Sequence, residues 1–500
     1  MENDPIYGSL RQHQADLRTI AKAIVEGRWT KRIVQAFIAP GSGKTRGASI
    51  FATELLAAGI VDRVLWIVPR DNLRQQVVRD FHSPEHGLRF FVQTAKGSRW
   101  PGSRQICLDG NVAAGVVATC QTICVDGAKA ARWVGSLRTL VILDEGHHLA
   151  ENGLADTESD EGAWTPHMQR VVDAAAWVLD MSGTPVRHAG GRIAFLSYDE
   201  TTKTPIFDVK YTRRDAIAEH AVLPIEFRRL DGVAKYQHLS RDHEVEISKA
   251  TGKAAKHALR SAMDEGSDYR DDAVMEAMRH WKAYRTSAYA SRVIIVADTQ
   301  KAARHYATLV RREFHVDVAL AISDDKDSPR RIQRFREHPE EFHVLVTVGM
   351  AHEGLDVPDC THLICLTRYR SRPWLEQAFA RVTRFNAKCG LPWSEQIAYI
   401  FVPDDIAMNE IIAELNAEQT LAVESLGPPK NGVGVPRGPS SYLSKDAQHT
   451  RTGVSYEDQR MSDAVSARIV KLEGKFPEIG AWPTPRKLAL LADMGGGAAE

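Results

Sequence analysis

The sequence predicts an α/β protein built on two doubly wound parallel sheets. Two series of short apolar runs, most of them ending in Gly, Pro or Asp, are separated by segments with helical patterning. The first series is QAFIAP (35–40), VLWIVP (64–69), GVVAT (115–119), LVILDE (140–145) and WVLDMSGTP (177–185). The second series is RVIIVAD (292–298), VDVALAIS (316–323), HVLVTVG (343–349), HLICLT (362–367) and IAYIFVP (397–403). Such runs are typical of strands buried on both faces.

The segments between these runs have the periodicity of helices. After VLWIVP, Asp71 is placed to cap a helix with one apolar face. The apolar residues of that face are Leu73, Val77, Val78 and Phe81. Asp298 or Thr299 can cap a further helix over residues 300–313. Strands that alternate with helices in this way indicate βαβ units and therefore parallel sheets.

The length of the chain predicts more than one domain, because 500 residues exceed what one hydrophobic core usually organises. We expect a first domain over residues 1–205, a second over 206–405 and a C-terminal tail over 406–500. The polar, helix-prone stretch at 231–290 is interpreted as a helical insertion in the second domain. The Gly- and Pro-rich stretch 426–440 is interpreted as a linker, and the tail as mostly helical or irregular.

The composition excludes a globally basic chain. Lys plus Arg and Asp plus Glu number 64 each, so any surface for a polyanion must be local. No run approaches the roughly 18 apolar residues of a membrane span, and MENDPIYG lacks the features of a signal peptide. The six cysteines contain no C-x-x-C pair, which favours buried free thiols over a zinc site. We therefore expect a cytoplasmic protein with no membrane partner.

The run QAFIAP leads directly into GSGKT and then into a helical stretch. A glycine-rich loop between a strand and a helix N-terminus can direct backbone N–H groups onto phosphate oxygens. Candidate phosphate-binding residues are Gly41, Ser42, Gly43, Lys44 and Thr45, with Lys44 as the cation and the Thr45 hydroxyl as a Mg²⁺ ligand. Ile38 stands where the full G-x-x-x-x-G-K-[ST] pattern has its first glycine, so a fortuitous Gly-rich turn is the alternative interpretation.

The run LVILDE places Asp144 and Glu145 at the carboxyl end of a buried strand, where open α/β sheets bind their ligands. Asp144 would hold Mg²⁺ together with Thr45, and Glu145 would orient and polarise an attacking water. The pair follows the GSGKT loop by about one hundred residues, which favours a nucleotide site over an ordinary acidic strand end. ATP and Mg²⁺ are therefore the expected cofactors.

Residues 144–148 read DEGHH, which resembles the D-E-x-H motif of superfamily-2 DEAD/DEAH-type helicases and translocases, in their DExH branch. Further motifs match the family in order over residues 7–405. They are LRQHQ (10–14), VPRDNLRQQ (68–76), ATCQT (118–122), SGTP (182–185), MAHEGLDVPD (350–359) and QAFARVTR (377–384). The resemblance implies two tandem RecA-like domains with an ATP cleft between them.

The resemblance also assigns roles to single residues. Gln14 would read the adenine edge, and Asp356 would contribute to nucleotide binding from the second domain. The residues expected to contact the strand or to couple it to hydrolysis are Arg70, Thr119, Gln121, His147, Ser182, Thr184 and Gly354. Contacts of this kind are made to the phosphate backbone and do not read base identity.

The segment QAFARVTR looks like motif VI of the family, with Ala380 in place of the usual Gly. If residues 374–385 form a helix, Gln377, Arg381 and Arg384 are at i, i+4 and i+7 and share one face. The resemblance directs this face across the cleft, where Arg384 would stabilise charge in the transition state. A solvated basic stripe is the alternative interpretation.

DEGHH together with EGLDVP is similar to the restriction-subunit and DNA-repair branch, so the resemblance favours DNA over RNA. The expected activity is that of an ATP-dependent helicase or translocase, with a separate nuclease or a defence or repair system as a partner. Two alternatives remain open at this point. One is an RNA-dependent ATPase that remodels ribonucleoprotein, and the other is a nucleotide-dependent switch that binds DNA without unwinding it.

Overall fold

The computed structural model describes residues 2–4, 6–82, 92–94, 100, 106–108, 111–113, 115–149, 164–184, 192–238, 240–285, 291–349 and 355–424. The chain divides into two compact units, Met1–Glu219 (unit 1) and His220–Glu500 (unit 2). The predicted linker at 426–440 and the tail that follows it lie outside the described residues, as does Gly354 of the predicted motif V.

Strands and helices alternate through most of unit 1. Its strands are β1 (Glu2–Asp4), β2 (Gly8–Leu10), β3 (Ile33–Ile38), β4 (Arg63–Val68), β5 (Val92–Thr94), β6 (Ile106–Leu108), β7 (Asn111–Ala113), β8 (Gly115–Thr119), β9 (Thr139–Asp144), β10 (Trp177–Ser182), β11 (Ser197–Tyr198), β12 (Pro205–Ile206) and β13 (Val209–Tyr211). Its helices are α1 (Gln12–Val25), α2 (Lys44–Ala57), α3 (Asp71–His82), α4 (Cys120–Val125), α5 (Gly127–Gly135), α6 (Thr165–Ala174) and α7 (Arg213–Ala218).

Seven strands of unit 1 form one parallel sheet in the order β13-β3-β10-β9-β4-β8-β5. Side chains from both faces of the interior strand β4 pack against helices. Leu65 and Ile67 belong to a buried cluster with residues of α4, α5 and α6, whereas the ring of Trp66 packs edge-on against Phe81 of α3 at 5.4 Å. Strand β13 pairs with β3, so unit 1 continues beyond residue 205, where we expected the first domain to end.

Because the seven strands are parallel, their carboxyl ends lie along one edge of the sheet, where open α/β sheets bind ligands. The strands β3, β10, β9, β4 and β8 are consecutive neighbours in this sheet. The segments that follow them contain GSGKT, SGTP, DEGHH, the start of VPRDNLRQQ and ATCQT. The order of the strands therefore gathers five predicted motifs at one edge.

Unit 2 has the same kind of architecture. Its strands are β14 (Ile225–Leu230), β15 (Val233–His238), β16 (Arg241–Glu246), β17 (Arg292–Ala297), β18 (Val318–Ala321), β19 (Val344–Thr347), β20 (Cys360–Leu366) and β21 (Ala398–Pro403). Its helices are α8 (Gly252–Met263), α9 (Asp268–Tyr284), α10 (Gln300–Phe314), α11 (Ser328–Glu337), α12 (Arg372–Phe379) and α13 (Ile406–Glu424).

Six strands of unit 2 form a parallel sheet in the order β14-β21-β20-β17-β19-β18. Successive residues of β17 enter two different buried clusters, with Val293 and Ile295 in one and Ile294 and Val296 in the other. A strand buried on both faces is what a doubly wound sheet requires. The predicted fold class, with two doubly wound parallel sheets, is confirmed.

The stretch 231–290, which we expected to be a helical insertion, is only partly helical. It begins with an antiparallel hairpin of β15 and β16, and Ser240 in the turn has a positive φ of 59°. In β15 the more buried Ala234 and Tyr236 alternate with the exposed Val233 and Lys235, which is the two-residue period of a strand. The helices α8 and α9 follow, and Trp281 of α9 is fully buried in the core of unit 2. These helices are therefore part of the core layer of this unit.

Two of the expected helices begin where the sequence places them. Helix α3 begins at Asp71, and α10 begins at Gln300 with Thr299 as its cap, because the Thr299 hydroxyl accepts a hydrogen bond from the Ala302 amide at 3.1 Å. The edge strands β5, β13 and β14 were not among the predicted runs. No helix in the described part of the chain has the length and apolar character needed to cross a membrane.

Candidate functional site

The GSGKT loop connects β3 to α2, and its two glycines need conformations that other residues rarely adopt. Gly41 has a φ of 86° and Gly43 a φ of 87°. A Cβ atom on Gly43 would also lie 3.1 Å from Arg11 Nη1 and 3.1 Å from Gln14 Nε2. Ser42 between them is fully buried. The loop is thus a tight turn at the N-terminus of α2, where backbone N–H groups and the helix dipole favour an anion.

Lys44, the first residue of α2, contacts both carboxylates of the DEGHH motif. Its Nζ lies 3.3 Å from Asp144 Oδ1 and forms an ion pair with Glu145 Oε1. The side chains of Lys44, Asp144 and Glu145 are only 13%, 8% and 15% exposed. The structure therefore brings together the lysine predicted to bind the phosphates and the two carboxylates predicted to hold Mg²⁺ and to orient the attacking water.

Burial and mutual attraction shift the pKa values of these groups. Burial disfavours the charged form of Lys44, but the charges of Glu145 and Asp144 outweigh it and raise the pKa of this amine. Burial opposes ionisation of Glu145 as well, yet Lys44 and His147 bring the pKa of Glu145 down to about 2. Burial raises the pKa of Asp144. Glu145 is thus held as a carboxylate, which a water-orienting residue must be.

Two contacts from neighbouring strands fix the acidic pair. The indole Nε1 of Trp66 donates to Asp144 Oδ2 at 3.3 Å, and the backbone amide of Gly183 donates to Glu145 Oε2 at 3.1 Å. Glu145 itself has a left-handed backbone, with φ 59° and ψ 49°. Residues other than Gly that are held in this region often lie at functional sites, because surrounding contacts must maintain the conformation.

Hydrogen bonds join the turn after β9 to the segment after β10. His147 Nδ1 lies 3.0 Å from Ser182 Oγ and 3.4 Å from Glu145 Oε2. The Ser182 hydroxyl donates to the Thr184 carbonyl at 2.5 Å and accepts from the Thr184 amide at 3.1 Å. His147, Ser182 and Thr184, which we expected to couple strand binding to hydrolysis, therefore form one network with Glu145.

Gln14 lies against the phosphate loop. Its Nε2 donates to the Gly43 carbonyl at 3.3 Å, its Oε1 accepts from the Arg11 amide at 3.1 Å, and the Arg11 guanidinium donates to the Ser42 carbonyl. Helix α1 thus places Gln14 beside the loop that would bind phosphates. Both ends of the carboxamide contact backbone groups, so adenine recognition by Gln14 stays a prediction.

The residues expected to hold Mg²⁺ fit that ion. Asp144 Oδ1 is buried and accepts no hydrogen bond of good geometry within the described part of the chain. Thr45 follows Lys44 in the first turn of α2. The described residues contain no cluster of three or more His, Cys, Asp or Glu side chains able to hold a metal. Two hard oxygen donors suit Mg²⁺, which is usually completed by water and substrate phosphates.

Three of the predicted strand-binding residues lie at the carboxyl ends of β4 and β8. Arg70 follows β4 and is exposed, and Gln121 in the first turn of α4 is exposed as well. Thr119 is buried, and its hydroxyl accepts from the Thr122 amide at 3.1 Å, so this side chain caps α4. Since β4 and β8 are adjacent, these residues share one region of the sheet edge.

The expected helix over residues 374–385 is wrong. Helix α12 ends at Phe379, and Arg384 instead forms an isolated antiparallel bridge with Val222. The Leu223 amide donates to the Thr383 carbonyl at 2.7 Å. Pairing of this β-branched segment with residues 222–223 favours extended backbone over another helical turn. Gln377, Arg381 and Arg384 therefore do not share a helical face.

Contacts outside the helix nevertheless join motifs V and VI. Arg381 Nη1 donates to the Leu355 carbonyl at 3.0 Å, and its Nε donates to the Gln377 carbonyl at 3.2 Å. Arg384 Nε lies 3.6 Å from Asp356 Oδ1, with these side chains 19% and 40% exposed. Arg381 thus links two backbone segments, and Arg384 is a partly exposed cation beside Asp356.

Sequence reasoning missed Asp180, a buried carboxyl in the middle of β10. A Cβ atom added to Gly146 would lie only 2.0 Å from Asp180 Oδ1, so the carboxyl occupies the space beneath the DEGHH turn. Burial raises the pKa of Asp180 to about 7. The signal was available in the sequence, because an acidic residue interrupts the apolar run WVLDM.

Two family models match separate parts of the chain, and several known proteins are similar to it. Residues 8–187 match a family model described as the res subunit of type III restriction enzymes, and residues 273–386 match the helicase conserved C-terminal domain. An uncharacterized protein of Mycobacterium leprae is 25% identical over 389 residues, which cover 77% of this chain and 61% of that protein. The EcoKI endonuclease subunit, a type I restriction enzyme of Escherichia coli, is 24% identical over 407 residues.

The match to the EcoKI subunit covers 75% of this chain and 33% of that subunit. The structure of the ATP-dependent type ISP restriction-modification enzyme LlaBIII bound to DNA is similar in fold, with a TM-score of 0.51 and 15% identity. That likeness covers 84% of this chain and 31% of the other. This chain thus spans less than two thirds of the mycobacterial relative and about one third of each restriction enzyme.

Proposed function

The chain belongs to superfamily 2 of the helicases and is a helicase-type ATPase, and we propose that it couples ATP hydrolysis to movement along one strand of DNA. In this proposal the nucleotide lies against the GSGKT loop, and Mg²⁺ is held by Thr45 and Asp144. When bound, the ion neutralises phosphate charge and stabilises the developing negative charge. A separate nuclease, or another component of a restriction or repair system, is the proposed partner.

The observation that carries the proposal is the position of Glu145. This carboxylate is ion-paired with Lys44 of the phosphate loop, and it accepts a hydrogen bond from the Gly183 amide. It also lies within reach of His147, which contacts Ser182. A movement of the segment after β10 would therefore shift Glu145, the residue proposed to orient the attacking water.

The reaction needs positioning and charge neutralisation more than covalent chemistry. The amides of Gly41 to Thr45 and the Lys44 amine would bind the phosphates, and Glu145 would orient the water and accept its proton. By its resemblance to motif VI, Arg384 is proposed to be the cation that stabilises the transferred phosphoryl group. Arg381 is also expected to act in catalysis, and this role stays a prediction; its guanidinium donates to the Leu355 carbonyl.

The strand would contact the edge of unit 1 at Arg70 and Gln121, which are exposed at the ends of adjacent strands. Thr119 would act through its backbone and through the cap that it provides to α4. DNA is favoured over RNA because the matched family model and the similar solved structure are restriction enzymes, the latter bound to DNA. Such backbone contacts predict binding that weakens with salt.

The test measures ATP turnover by the full chain alone and with duplex DNA, single-stranded DNA or RNA. The same preparations are assayed for displacement of an annealed strand and of a triplex-forming oligonucleotide, which reports translocation without unwinding. We expect DNA to raise turnover at least about tenfold, since a coupled site is completed only when the strand is bound. Glu145→Gln is the control for contaminating ATPase.

The outcomes separate the proposed activity from its alternatives. Stimulation by DNA with triplex displacement supports the translocase. Stimulation by RNA alone would identify an RNA-dependent ATPase, and DNA binding without any displacement would identify a nucleotide-dependent switch. A turnover that neither DNA nor RNA changes would overturn the proposal of a nucleic-acid motor.

A further inference from the structure

A cluster of four aromatic rings lies on the β15–β16 hairpin and helix α8 of unit 2, outside the helicase motifs. We call it the ring cluster, and its members are Tyr236, His238, His243 and His257. The ring of Tyr236 stacks with His243 at 5.1 Å and 16° and with His257 at 5.4 Å and 28°. His238 is 4.6 Å from His257 and 6.5 Å from His243. The four rings therefore form one continuous group.

The register of the hairpin shows that the ring cluster extends outward from the core of unit 2. Ala234 is opposite Val245, and both pack on that core. Two residues further out on the same face, Tyr236 is opposite His243, and His238 then follows. Tyr236 is partly buried, whereas His238 and His243 are exposed. The outer end of the cluster is thus an exposed surface of flat rings.

The acidic side chains of this hairpin are on the face opposite the rings. Arg241 is opposite His238, on the face that carries the rings. Asp242, Glu244 and Glu246 alternate with these positions and so belong to the other face. Glu244 pairs there with Lys235 at 3.5 Å, and Glu246 pairs with Lys249. The acidic charge of the hairpin is therefore directed away from the rings.

Helix α8 adds positive charge beside the rings. It packs along β15, where the Ser261 hydroxyl donates to the Lys235 carbonyl at 2.6 Å, and it contributes His257 to the cluster. Lys253 and Arg260 are exposed residues of this helix. They are four residues before and three residues after His257, so they share its helical face. Accessible rings beside cations form a surface suited to a ligand that is both flat and anionic.

We propose that the ring cluster, with Arg241, Lys253 and Arg260, binds single-stranded nucleic acid by stacking bases on His238 and His243 and pairing phosphates with the cations. Imidazole and phenol rings stack on bases, and only unpaired bases offer their faces. A duplex would offer phosphates but no exposed base faces to the rings. The inference rests on the proposed function and adds a strand contact that the helicase motifs do not provide.

The test compares two ligands and two proteins. One ligand is a fluorescent oligothymidylate of about 20 nucleotides, and the other has the same backbone with abasic sugars in place of the bases. The proteins are the full chain and the His238→Ala/His243→Ala variant, which keeps Tyr236 and its packing on the core. Affinities are measured by fluorescence anisotropy without ATP.

We expect the wild type to bind the abasic ligand about tenfold more weakly, because base stacking is lost. The variant should bind oligothymidylate about tenfold more weakly than the wild type does, and should lose little more when the bases are removed. A Lys253→Gln/Arg260→Gln variant should lower the slope of log affinity against log salt by about 0.7 for each phosphate that it no longer neutralises.

The matched control is His305→Ala/His338→Ala, which removes two partly exposed histidines from other elements of unit 2. The control should bind both ligands as the wild type does, and melting temperatures show whether each variant is folded. Equal affinities of the ring variant and the wild type for oligothymidylate would overturn the inference. So would an equal effect of base removal in both proteins.

The ligand comparison in the wild type alone tests the inference even if the ring variant fails to fold, because equal binding of the two ligands excludes stacking.

The failure of the proposed function and the failure of the ring surface give different results. A wild type that binds no nucleic acid loses both the proposed function and the ring surface. A wild type that is stimulated by DNA, with a ring variant that binds normally, loses only the ring surface.

Discussion

The backbone amide of Gly183 donates a hydrogen bond to the carboxylate of Glu145 at 3.1 Å. This bond joins the segment after β10 to the turn after β9. The other oxygen of the same carboxylate is ion-paired with Lys44 of the phosphate loop. One side chain thus connects the phosphate site to a segment that we expect to respond to the bound strand.

Glu145→Gln should abolish most turnover without unfolding the protein. The glutamine keeps an oxygen that can accept from the Gly183 amide, but it loses the charge needed to take a proton from water. We expect kcat to fall by about 10² to 10⁴, with ATP affinity retained. Steady-state turnover and equilibrium binding of a fluorescent ATP analogue measure the two quantities.

The matched control is Glu54→Gln, which neutralises another partly buried carboxylate of unit 1, the one that contacts Arg18 at 2.7 Å. It should leave kcat close to the wild-type value. A Glu145→Gln protein whose kcat stays within about threefold of the wild type would remove Glu145 from the chemistry.

Arg384→Ala should lower kcat far more than it weakens nucleotide binding, because the proposed role of Arg384 arises only in the transition state. We expect a fall in kcat on the order of 10³ in the presence of DNA. Lys44→Ala gives the contrast, since Lys44 would touch the phosphates before chemistry and its loss should also weaken ATP binding.

Arg368→Ala is the control for removing an arginine from unit 2, because Arg368 is 44% exposed and pairs with Asp298 at 2.6 Å. The double variant Arg381→Ala/Arg384→Ala tests redundancy, although removing Arg381 also breaks the hydrogen bond to Leu355. If both the single and the double variant stay folded and keep the DNA-stimulated kcat of the wild type, motif VI is misassigned.

Gln14→Ala should reduce the preference for ATP over GTP. Two hydrogen bonds to the adenine edge would contribute about tenfold to the ratio of kcat/KM values for the two nucleotides. Removing the hydrogen bond to the Gly43 carbonyl should raise KM for both nucleotides equally, so the ratio is the informative quantity. Gln12→Ala is the control, since Gln12 contacts Asp16 at 2.8 Å on the exposed face of α1. An unchanged ratio in Gln14→Ala would end the claim of adenine recognition.

Asp180→Asn should stabilise the protein at high pH and not at low pH. Burial raises the pKa of Asp180 to about 7 from an ordinary value of 3.8, so the folded state retains a proton that the unfolded state has lost. Stability of the wild type therefore falls as pH rises from 3.8 to about 7. The uncharged asparagine does not incur this loss, which amounts to at most about 4 kcal/mol.

Scanning calorimetry at about pH 5 and about pH 8 measures the effect, and the gain in melting temperature of Asp180→Asn over the wild type should be several degrees larger at the higher pH. Asp199→Asn is the control. Hydrogen bonds from Thr202 and Thr201 lower the pKa of Asp199, so its contribution is constant across this interval. An equal difference between Asp180→Asn and the wild type at both pH values would contradict the prediction.

The parts of the fold that sequence could predict are those that burial controls. Nine of the ten apolar runs correspond to interior strands, and the tenth, VDVALAIS, contains the edge strand β18. A strand buried on both faces must be apolar throughout. The edge strands β13 and β14 were missed. Strand β14 reads IEFRRL, and its four central residues are only partly buried, so the charged side chains hid it. Residues 381–384 were assigned to a helix from local spacing alone. Residues 383–384 instead pair with residues 222–223, which are far away in the sequence, so this pairing could not be predicted from the local pattern.

The candidate site was predictable where one motif supplies both the residue and its position. The contacts of Lys44 with Asp144 and Glu145 agree with the order of their motifs, since β3 and β9 are separated only by β10 in the sheet. The contributions of Trp66 and Gly183 could not be read from the sequence. A tryptophan in an apolar run is expected in the core, and a backbone donor leaves no trace in residue identity.

The pairing of β3 with β10 has a consequence for synthesis of the chain. Val34 of β3 is paired with Leu179 of β10. Strand β3, which leads into the phosphate loop, therefore gains its first neighbouring strand only after more than a hundred further residues have been made. Helices α1 and α2 pack together early, but a loop closed over such a distance carries a large entropic cost before the strands meet. A ribosome stalled before β10 would therefore expose a nascent chain that contains the whole GSGKT sequence and does not bind ATP. Competence to bind nucleotide should appear abruptly as residues 177–184 leave the exit tunnel, not gradually with chain length.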